Sequence, residues 1–177
     1  MQFEQGKIYE QVFACWLAEY HIEFIEVDQS KRFNCQQEDI KNFDFLVHPD
    51  SANPLLVEVK GRTFHGMSLA GLKGLDGWAT FEDVESLGFW LGVFQKEKPS
   101  AKAVFVFVFR LEQIDVETDG LCVYDFDGKR FLLLAVPLEA YRACMKPRSP
   151  KWQTVTLAAE DFREYAVPVE QMLNVKS

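Results

Sequence analysis

The sequence predicts a single domain, residues 1–177, of the α/β or α+β class, with helices packed around a mixed sheet. The chain has 177 residues, of which 48% are hydrophobic, enough to bury a sizeable core. Helical and strand-like patterns follow one another along its length. One apolar run, AVFVFVF at 103–109, has no polar face and is typical of a central strand covered on both sides.

The first half of the chain predicts a helix, a strand and a hairpin. Apolar residues recur at steps of three and four in the first twenty residues, which indicates an amphipathic helix. Alternating apolar and acidic residues at 22–27 predict a half-buried strand. NFDFLV (42–47) and LLVEVK (55–60) flank a stretch rich in turn-forming residues and predict a β-hairpin. Five of the ten glycines lie in 61–78, which predicts a mobile loop.

The second half predicts a capped helix and a C-terminal elaboration of the core. Thr80 and Asp83 have the spacing of a capping box, and a helix is expected to follow as far as Gln95. Residues 111–177 are expected to add the following elements: a hairpin of 121–126 and 131–136 around Asp127-Gly128, a short helix from Pro137 to Met145, a strand at 152–157 and one or two short helices. KPRSP at 146–150 is the one candidate boundary.

The predicted hairpin brings two carboxylates together. A turn that is symmetric about Ser51 places Asp44 opposite Glu58 on one face, with Cβ atoms about 5 Å apart. Lys60 shares that face because side chains alternate along a strand. The other face collects apolar residues, namely Phe43, Phe45, Val47, Leu55, Val57 and Val59. Since opposed carboxylates repel each other, the pair predicts a bound divalent cation, Mg²⁺ or Mn²⁺.

The same residues carry a resemblance to a known family. NFDFLV followed by LLVEVKGR resembles the core motif of the PD-(D/E)xK nuclease superfamily, with an acid on one strand and E-x-K on the next. GKIYEQ resembles the G-x-x-x-E start of archaeal Holliday-junction resolvases. The resemblance covers about residues 6–109, with Phe43 where the motif has proline. It implies a restriction-endonuclease-like mixed sheet flanked by helices, to which the last third adds a strand and short helices.

The resemblance also implies an activity and a set of site residues. The expected activity is Mg²⁺- or Mn²⁺-dependent hydrolysis of DNA by in-line attack of an activated water, and many relatives act as homodimers. The implied catalytic residues are Glu10, Asp44, Glu58, Lys60 and Gln95, where Glu10 reaches in from the first helix and Gln95 orients a ligand or Lys60. The implied metal ligands are Asp44, Glu58 and the Val59 carbonyl. Arg62, Lys73 and Lys96 are the expected phosphate contacts.

Other interpretations of these residues stay open. The acids and the lysine could form a solvated sheet face with cross-strand ion pairs, Glu10 could be an exposed helix carboxylate, and Gln95 could mark a helix end. A net charge of −8 argues against a surface that attracts polyanions everywhere, and favours a catalytically inactive interaction module of the same fold. An adaptor or inhibitor unrelated to nucleases is a third hypothesis.

Two further expectations concern location and a basic segment. The N-terminus lacks a basic start with an apolar stretch, and no apolar run reaches the about 18 residues of a membrane helix, so the expected location is the cytoplasm. A basic group lies beside Trp152 and combines positive charge with a ring on which a base can stack. Its members are Arg142, Lys146, Arg148 and Lys151. Surface solubility explains this group equally well.

Overall fold

The computed structural model describes residues 7–30, 33–35 and 38–175, which form a mixed α+β fold. The helices are α1 (Ile8–Glu19), α2 (Phe81–Gln95), α3 (Leu138–Cys144), α4 (Ala159–Tyr165) and α5 (Val169–Met172). The strands are β1 (Phe24–Glu26), β2 (Phe33–Cys35), β3 (Glu38–Ile40), β4 (Phe45–Val47), β5 (Leu55–Phe64), β6 (Ala79–Thr80), β7 (Lys102–Leu111), β8 (Tyr124–Phe126), β9 (Lys129–Pro137), β10 (Lys146–Ser149), β11 (Thr154–Thr156) and β12 (Val167–Pro168). Within these ranges no helix combines the length and apolar character needed to cross a bilayer.

The main sheet has seven strands in the order β1-β4-β5-β7-β9-β12, with β8 paired to β9. Strands β5 and β7 are parallel, and the other pairs of this sheet are antiparallel. β7 lies between β5 and β9, and its residues 103–109 are all buried, which confirms the predicted central strand. A smaller sheet has the order β10-β11-β6, and β2 pairs with β3.

Helices cover the two faces of the main sheet. Helix α1 packs on one face, where Phe13 and Trp16 join the buried valines of β5 and β7. Helices α2 and α3 pack on the other face, where Leu87 and Tyr141 contact the buried phenylalanines of β7. The two faces together leave β5 covered on both sides, so any charged side chain on it must find a partner.

The predicted hairpin is confirmed with its register. Phe45 pairs with Val57, and Val47 pairs with Leu55, as a turn centred on Ser51 requires. The position of Phe43 is the exception, because this residue packs against Trp90 and Phe94 of α2 and not on the α1 face. Regular strand geometry begins only at residue 45, so the alternation of side chains does not extend back to residue 43.

Several other predictions are confirmed in part. The first helix, the strand at 24–26, the capping box and the hairpin around Asp127-Gly128 form as expected. The predicted start of the glycine-rich loop at residue 61 was wrong, because β5 continues to Phe64. Gly61 lies within this strand and leaves room for the Tyr9 ring of α1. A Cβ at Gly61 would lie 1.9 Å from Cδ2 of Tyr9. The boundary at 146–150 was also wrong, since β10 occupies it.

Candidate functional site

Asp44 lies just before β4, where the regular pairing with β5 ends at Phe45 and Val57. The backbone N–H of Asp44 donates to the Val57 carbonyl at 3.0 Å, so Asp44 faces a residue already paired with Phe45 and is not in regular register with Glu58. The Asp44 side chain then turns into the sheet plane, where Oδ2 accepts a hydrogen bond from the Val59 N–H at 2.7 Å. Because the N–H and C=O of a strand residue point to the same side, the Val59 carbonyl also faces the end of β4.

Four charged side chains form a compact cluster on the α2 side of β5. Lys60 Nζ lies 2.9 Å from Oε1 of Glu58 and 2.7 Å from Oδ2 of Asp83. Lys41 Nζ lies 2.6 Å from the same Glu58 oxygen and 2.5 Å from Oδ1 of Asp83. Each lysine therefore bridges the same two carboxylates. We call Lys41, Glu58, Lys60 and Asp83 the charge cluster.

Asp83 joins the charge cluster because it also caps α2. Its Oδ2 accepts from the Thr80 N–H at 3.0 Å, and the Thr80 hydroxyl oxygen accepts from the Asp83 N–H at 3.1 Å, so the predicted capping box is complete. A carboxylate at this helix terminus is further stabilised by the helix dipole. One carboxylate thus links the start of a helix to the lysine of the E-x-K motif.

Lys41 comes from the segment between β3 and β4, and sequence reasoning did not find it. The Trp90 Nε1–H of α2 donates to the Lys41 carbonyl at 2.9 Å and fixes this segment above the charge cluster. The sequence signal is weak, because a lysine in a polar connection has no periodic pattern to mark it. The sequence identified Asp83 only as a helix cap, because its contacts with the two lysines depend on how α2 packs against the sheet.

Glu10 approaches the acids from α1 and leaves an oxygen unsatisfied. Its Oε2 atom and Oε1 of the neighbouring Gln11 are buried and find no hydrogen-bond partner among the described residues. Both residues line a cavity of about 350 Å³, which Asp44 and Lys7 also line. Glu10 is half-buried, so it is not the freely solvated helix carboxylate of the simpler interpretation. Two buried oxygen acceptors on residues next to this cavity thus lack a donor among the described residues.

Three carboxyl groups at this place have raised pKa values. Burial raises the pKa of Glu58 to about 7, and the Asp44 carboxylate adds to the rise. Burial likewise raises the pKa of Asp44 to about 6 and raises the pKa of Glu10. Burial acts against the charged form of Asp83 too, but Lys60 and Lys41 hold the pKa of Asp83 well below its usual range. Burial therefore disfavours the charged forms of Glu58, Asp44 and Glu10, and the lysine contacts of Glu58 offset this only in part.

The donor set suits a small hard cation that keeps water ligands. No group of three or more histidine, cysteine, aspartate or glutamate side chains among the described residues is arranged to enclose a metal. Mg²⁺, however, is commonly held by one or two carboxylates together with waters and substrate phosphates. Asp44, Glu58 and the Val59 carbonyl would hold such an ion, and the unpartnered Glu10 oxygen lies beside them. The buried acids of raised pKa are the observation that this fit depends on.

The remaining predicted site residues lie elsewhere. Gln95 ends α2, twelve residues or about 18 Å along the axis from Asp83, and its Nε2 donates to the Ala101 carbonyl. This is the helix-end role of the simpler interpretation, so the structure does not bring Gln95 to Lys60. Lys96 follows it at the same end of α2, and Lys73 is exposed before β6.

Arg62 lies two residues beyond Lys60 on β5 but is held by protein groups. Its guanidinium donates to the carbonyls of Gly61 and Trp78 and stacks 3.8 Å from the centre of the Trp78 ring. Burial lowers the pKa of Arg62 to about 10. Arg62 is therefore an anchored cation beside the charge cluster. Gly6, the first residue of the G-x-x-x-E resemblance, lies outside the described residues.

No family model matches the chain, and no curated protein is significantly similar to it. What the chain does is therefore inferred from its own residues.

Proposed function

We propose that the protein is a metal-dependent phosphodiesterase that hydrolyses DNA, with Mg²⁺ or Mn²⁺ held at the end of β4. The observation that supports the proposal is the geometry at β5, where Asp44 Oδ2 accepts a hydrogen bond from the Val59 N–H and Lys60 pairs with Glu58, so that an acid beside β4 lies next to the E-x-K segment. These acids have raised pKa values in a buried setting, which is typical of residues kept for chemistry. The resemblance to the PD-(D/E)xK motif points to the same reaction.

The residues of the site divide the work between them. When bound, the ion would polarise the phosphate and lower the pKa of a water that it holds. Asp44, Glu58 and the Val59 carbonyl would hold it beside the start of β4. Lys60 carries a positive charge next to Glu58 and is available to orient the attacking water and to offset charge that develops on the phosphate.

Asp83 and Glu10 are positioning residues in this scheme. Asp83 pairs with the Lys60 ammonium and so holds it next to the start of α2. Glu10 lines the cavity beside Asp44 and adds negative charge near that carboxylate, which would favour a cation there. Gln95 has no part in the proposed site, because it lies at the far end of α2.

The direct test is DNA cleavage by the purified chain with Mg²⁺ or Mn²⁺, on plasmid, linear and branched substrates. Glu58→Gln keeps the shape of the side chain and removes the charge, so we expect cleavage to fall by about 100-fold or more. Glu97→Gln, an exposed glutamate just after α2, is the matched control and should cleave as the wild type does. Absence of cleavage on every substrate with both metals would refute the proposal.

The closed charge cluster favours a second candidate, a catalytically inactive interaction module. Both lysines already neutralise Glu58 and Asp83, so this part of the site is satisfied without a metal. Under this hypothesis the chain binds DNA or a protein in EDTA and Mn²⁺ adds nothing. Calorimetric titration separates the two, because saturable Mn²⁺ binding that is lost in Asp44→Asn supports the phosphodiesterase.

A further inference from the structure

A strongly basic hairpin projects from the C-terminal part of the chain. Strands β10 and β11 pair in antiparallel fashion, and we call residues 146–156 the basic hairpin. The stretch of twenty residues between Glu139 and Glu160 carries four basic side chains and no acidic one, in a chain of net charge −8. The basic side chains within the hairpin are Lys146, Arg148 and Lys151, and all are exposed. The hairpin is thus a local attractor for a polyanion.

Two exposed aromatic rings accompany these charges. Trp152 lies at the turn of the basic hairpin and is 68% exposed, with Lys151 Nζ 5.1 Å from its ring centre. Phe81 is 47% exposed, and its backbone N–H donates to the Gln153 carbonyl at 2.8 Å. This hydrogen bond ties the start of α2 to the residue after Trp152. Open aromatic rings among lysines and arginines are the usual surface for single-stranded nucleic acid.

Two sets of contacts link the basic hairpin to elements that carry candidate site residues. Phe81 is the first residue of α2, and Asp83 of the charge cluster is the third. Arg148 of β10 lies with its guanidinium 5.0 Å from the centre of the Trp78 ring, against which Arg62 of β5 also stacks. Arg62 is in turn two residues from Lys60. The basic hairpin therefore contacts the start of α2, the helix that supplies Asp83 to the charge cluster.

We propose that the basic hairpin and Phe81 bind an unpaired nucleic-acid strand, whose bases stack on Trp152 and Phe81 and whose phosphates contact Lys146, Arg148 and Lys151. Stacking requires open base faces, which a duplex hides between its own base pairs, so the surface selects single-stranded over paired nucleic acid. That this strand is the substrate rests on the proposed function. The binding itself does not depend on hydrolysis or on metal.

The test is the fluorescence anisotropy of a labelled oligo-dT of about 15 nucleotides, compared with a duplex of the same length, in EDTA and about 50 mM salt. We expect the wild type to bind the single strand more tightly. Trp152→Ala should weaken this binding by about fivefold to 100-fold, and Trp152→Phe should retain most of it. The double variant Lys146→Gln/Lys151→Gln should reduce the slope of log affinity against log salt concentration by the equivalent of about two phosphate contacts.

Lys129→Gln, an exposed lysine on the β8–β9 hairpin, is the charge-matched control and should bind as the wild type does. Equal affinity for duplex and single strand, no binding of either, or full affinity in Trp152→Ala would overturn the proposal. Because Trp152 is largely exposed, its replacement should leave the thermal unfolding temperature unchanged. Because binding is measured in EDTA, where no metal-dependent cleavage can occur, a failure of binding and a failure of cleavage are told apart.

Discussion

At the scale of single residues, metal binding at the site depends on which cations pair with the Glu58 carboxylate. Its Oε1 atom accepts from Lys41 at 2.6 Å and from Lys60 at 2.9 Å, so a metal bound to this oxygen must share or replace these contacts. Lys60 belongs to the E-x-K motif, whereas Lys41 does not. We therefore interpret Lys41 as the cation that satisfies Glu58 and Asp83 when no metal is bound.

Lys41→Met tests this interpretation. Removing the ammonium leaves two buried carboxylates with one lysine, so we expect the free energy of unfolding in EDTA to fall by about 1–3 kcal/mol. Mn²⁺ should bind the variant more tightly than the wild type, because one competitor for Glu58 is gone, and should recover part of the lost stability. Thermal unfolding with and without Mn²⁺ and calorimetric titration measure both effects.

Lys129→Met, far from Glu58 in sequence and exposed, is the control and should change neither quantity. Weaker Mn²⁺ binding in Lys41→Met would contradict the competition and would make Lys41 a supporting residue of the metal site.

At the scale of elements, the start of α2 has two separable duties. Thr80 and Asp83 cap the helix through reciprocal hydrogen bonds, and only Asp83 also pairs with the lysines. Thr80→Ala removes one cap contact and should lower the free energy of unfolding by about 0.5–2 kcal/mol with little change in cleavage. Asp83→Asn can keep the cap but loses the charge, and should lower cleavage by about 10- to 100-fold.

Urea denaturation and initial cleavage rates measure these two losses side by side. Loss of cleavage in Thr80→Ala equal to that in Asp83→Asn would mean that helix capping, and not the charge on Asp83, supports the site.

Elements with a strong periodic pattern could be predicted from the sequence, and elements without one could not. The hairpin register followed from the symmetry of the turn and from an apolar face, both of which are local properties. Strands β2, β3 and β10 are three or four residues long in polar segments, too short for alternation to stand out. Gly61 made the sequence indicate a loop where β5 continues, because this glycine leaves space for the Tyr9 ring of α1 and does not end the strand.

The site could be predicted only where its residues are neighbours in sequence or register. Glu58 and Lys60 lie on one regular strand, so their shared face could be derived from alternation, and the hairpin brings Asp44 to the neighbouring Val59. Lys41 and Asp83 reach the charge cluster from separate elements, which only the packing of α2 against the sheet brings together. Gln95 ends α2 as the sequence predicts, but the role near Lys60 that the resemblance implied for it does not fit this position.

At the scale of the whole molecule, the buried acids predict a pH-dependent stability. Glutamate titrates near 4.5 when unfolded, and Glu58 near 7 when folded, so the folded state holds excess protons between these values. Stability should therefore fall as pH rises through this interval, by at most about 1.4 kcal/mol per pH unit for each excess proton. The lowered pKa of Asp83 acts below this interval and the raised pKa of Lys41 acts above it.

Urea denaturation in EDTA at about pH 5, 6 and 7 measures the slope. Glu58→Gln removes the titrating group, so its stability should depend less on pH than that of the wild type. Mn²⁺ should flatten the wild-type slope as well, because a bound cation favours the ionised acids. Parallel slopes in the wild type and Glu58→Gln would show that Glu58 does not hold the extra proton.

The negative net charge of the molecule is compatible with DNA binding only if attraction is local. Residues 1–60 carry 11 acidic and 5 basic side chains and so hold most of the net charge of −8, whereas the basic hairpin carries no acid. With a Debye length of about 8 Å at physiological salt, distant acids are screened from a bound strand.

The most direct measurement is a crystal structure of the chain soaked in Mn²⁺, with anomalous data collected at the manganese edge. The proposed function predicts one strong anomalous peak between the carboxylates of Asp44 and Glu58, about 2.1 Å from an oxygen of each, with Lys41 displaced from Glu58. A map without a peak there, in which both lysines keep their contacts to Glu58, would contradict the proposed metal site and the hydrolysis that depends on it.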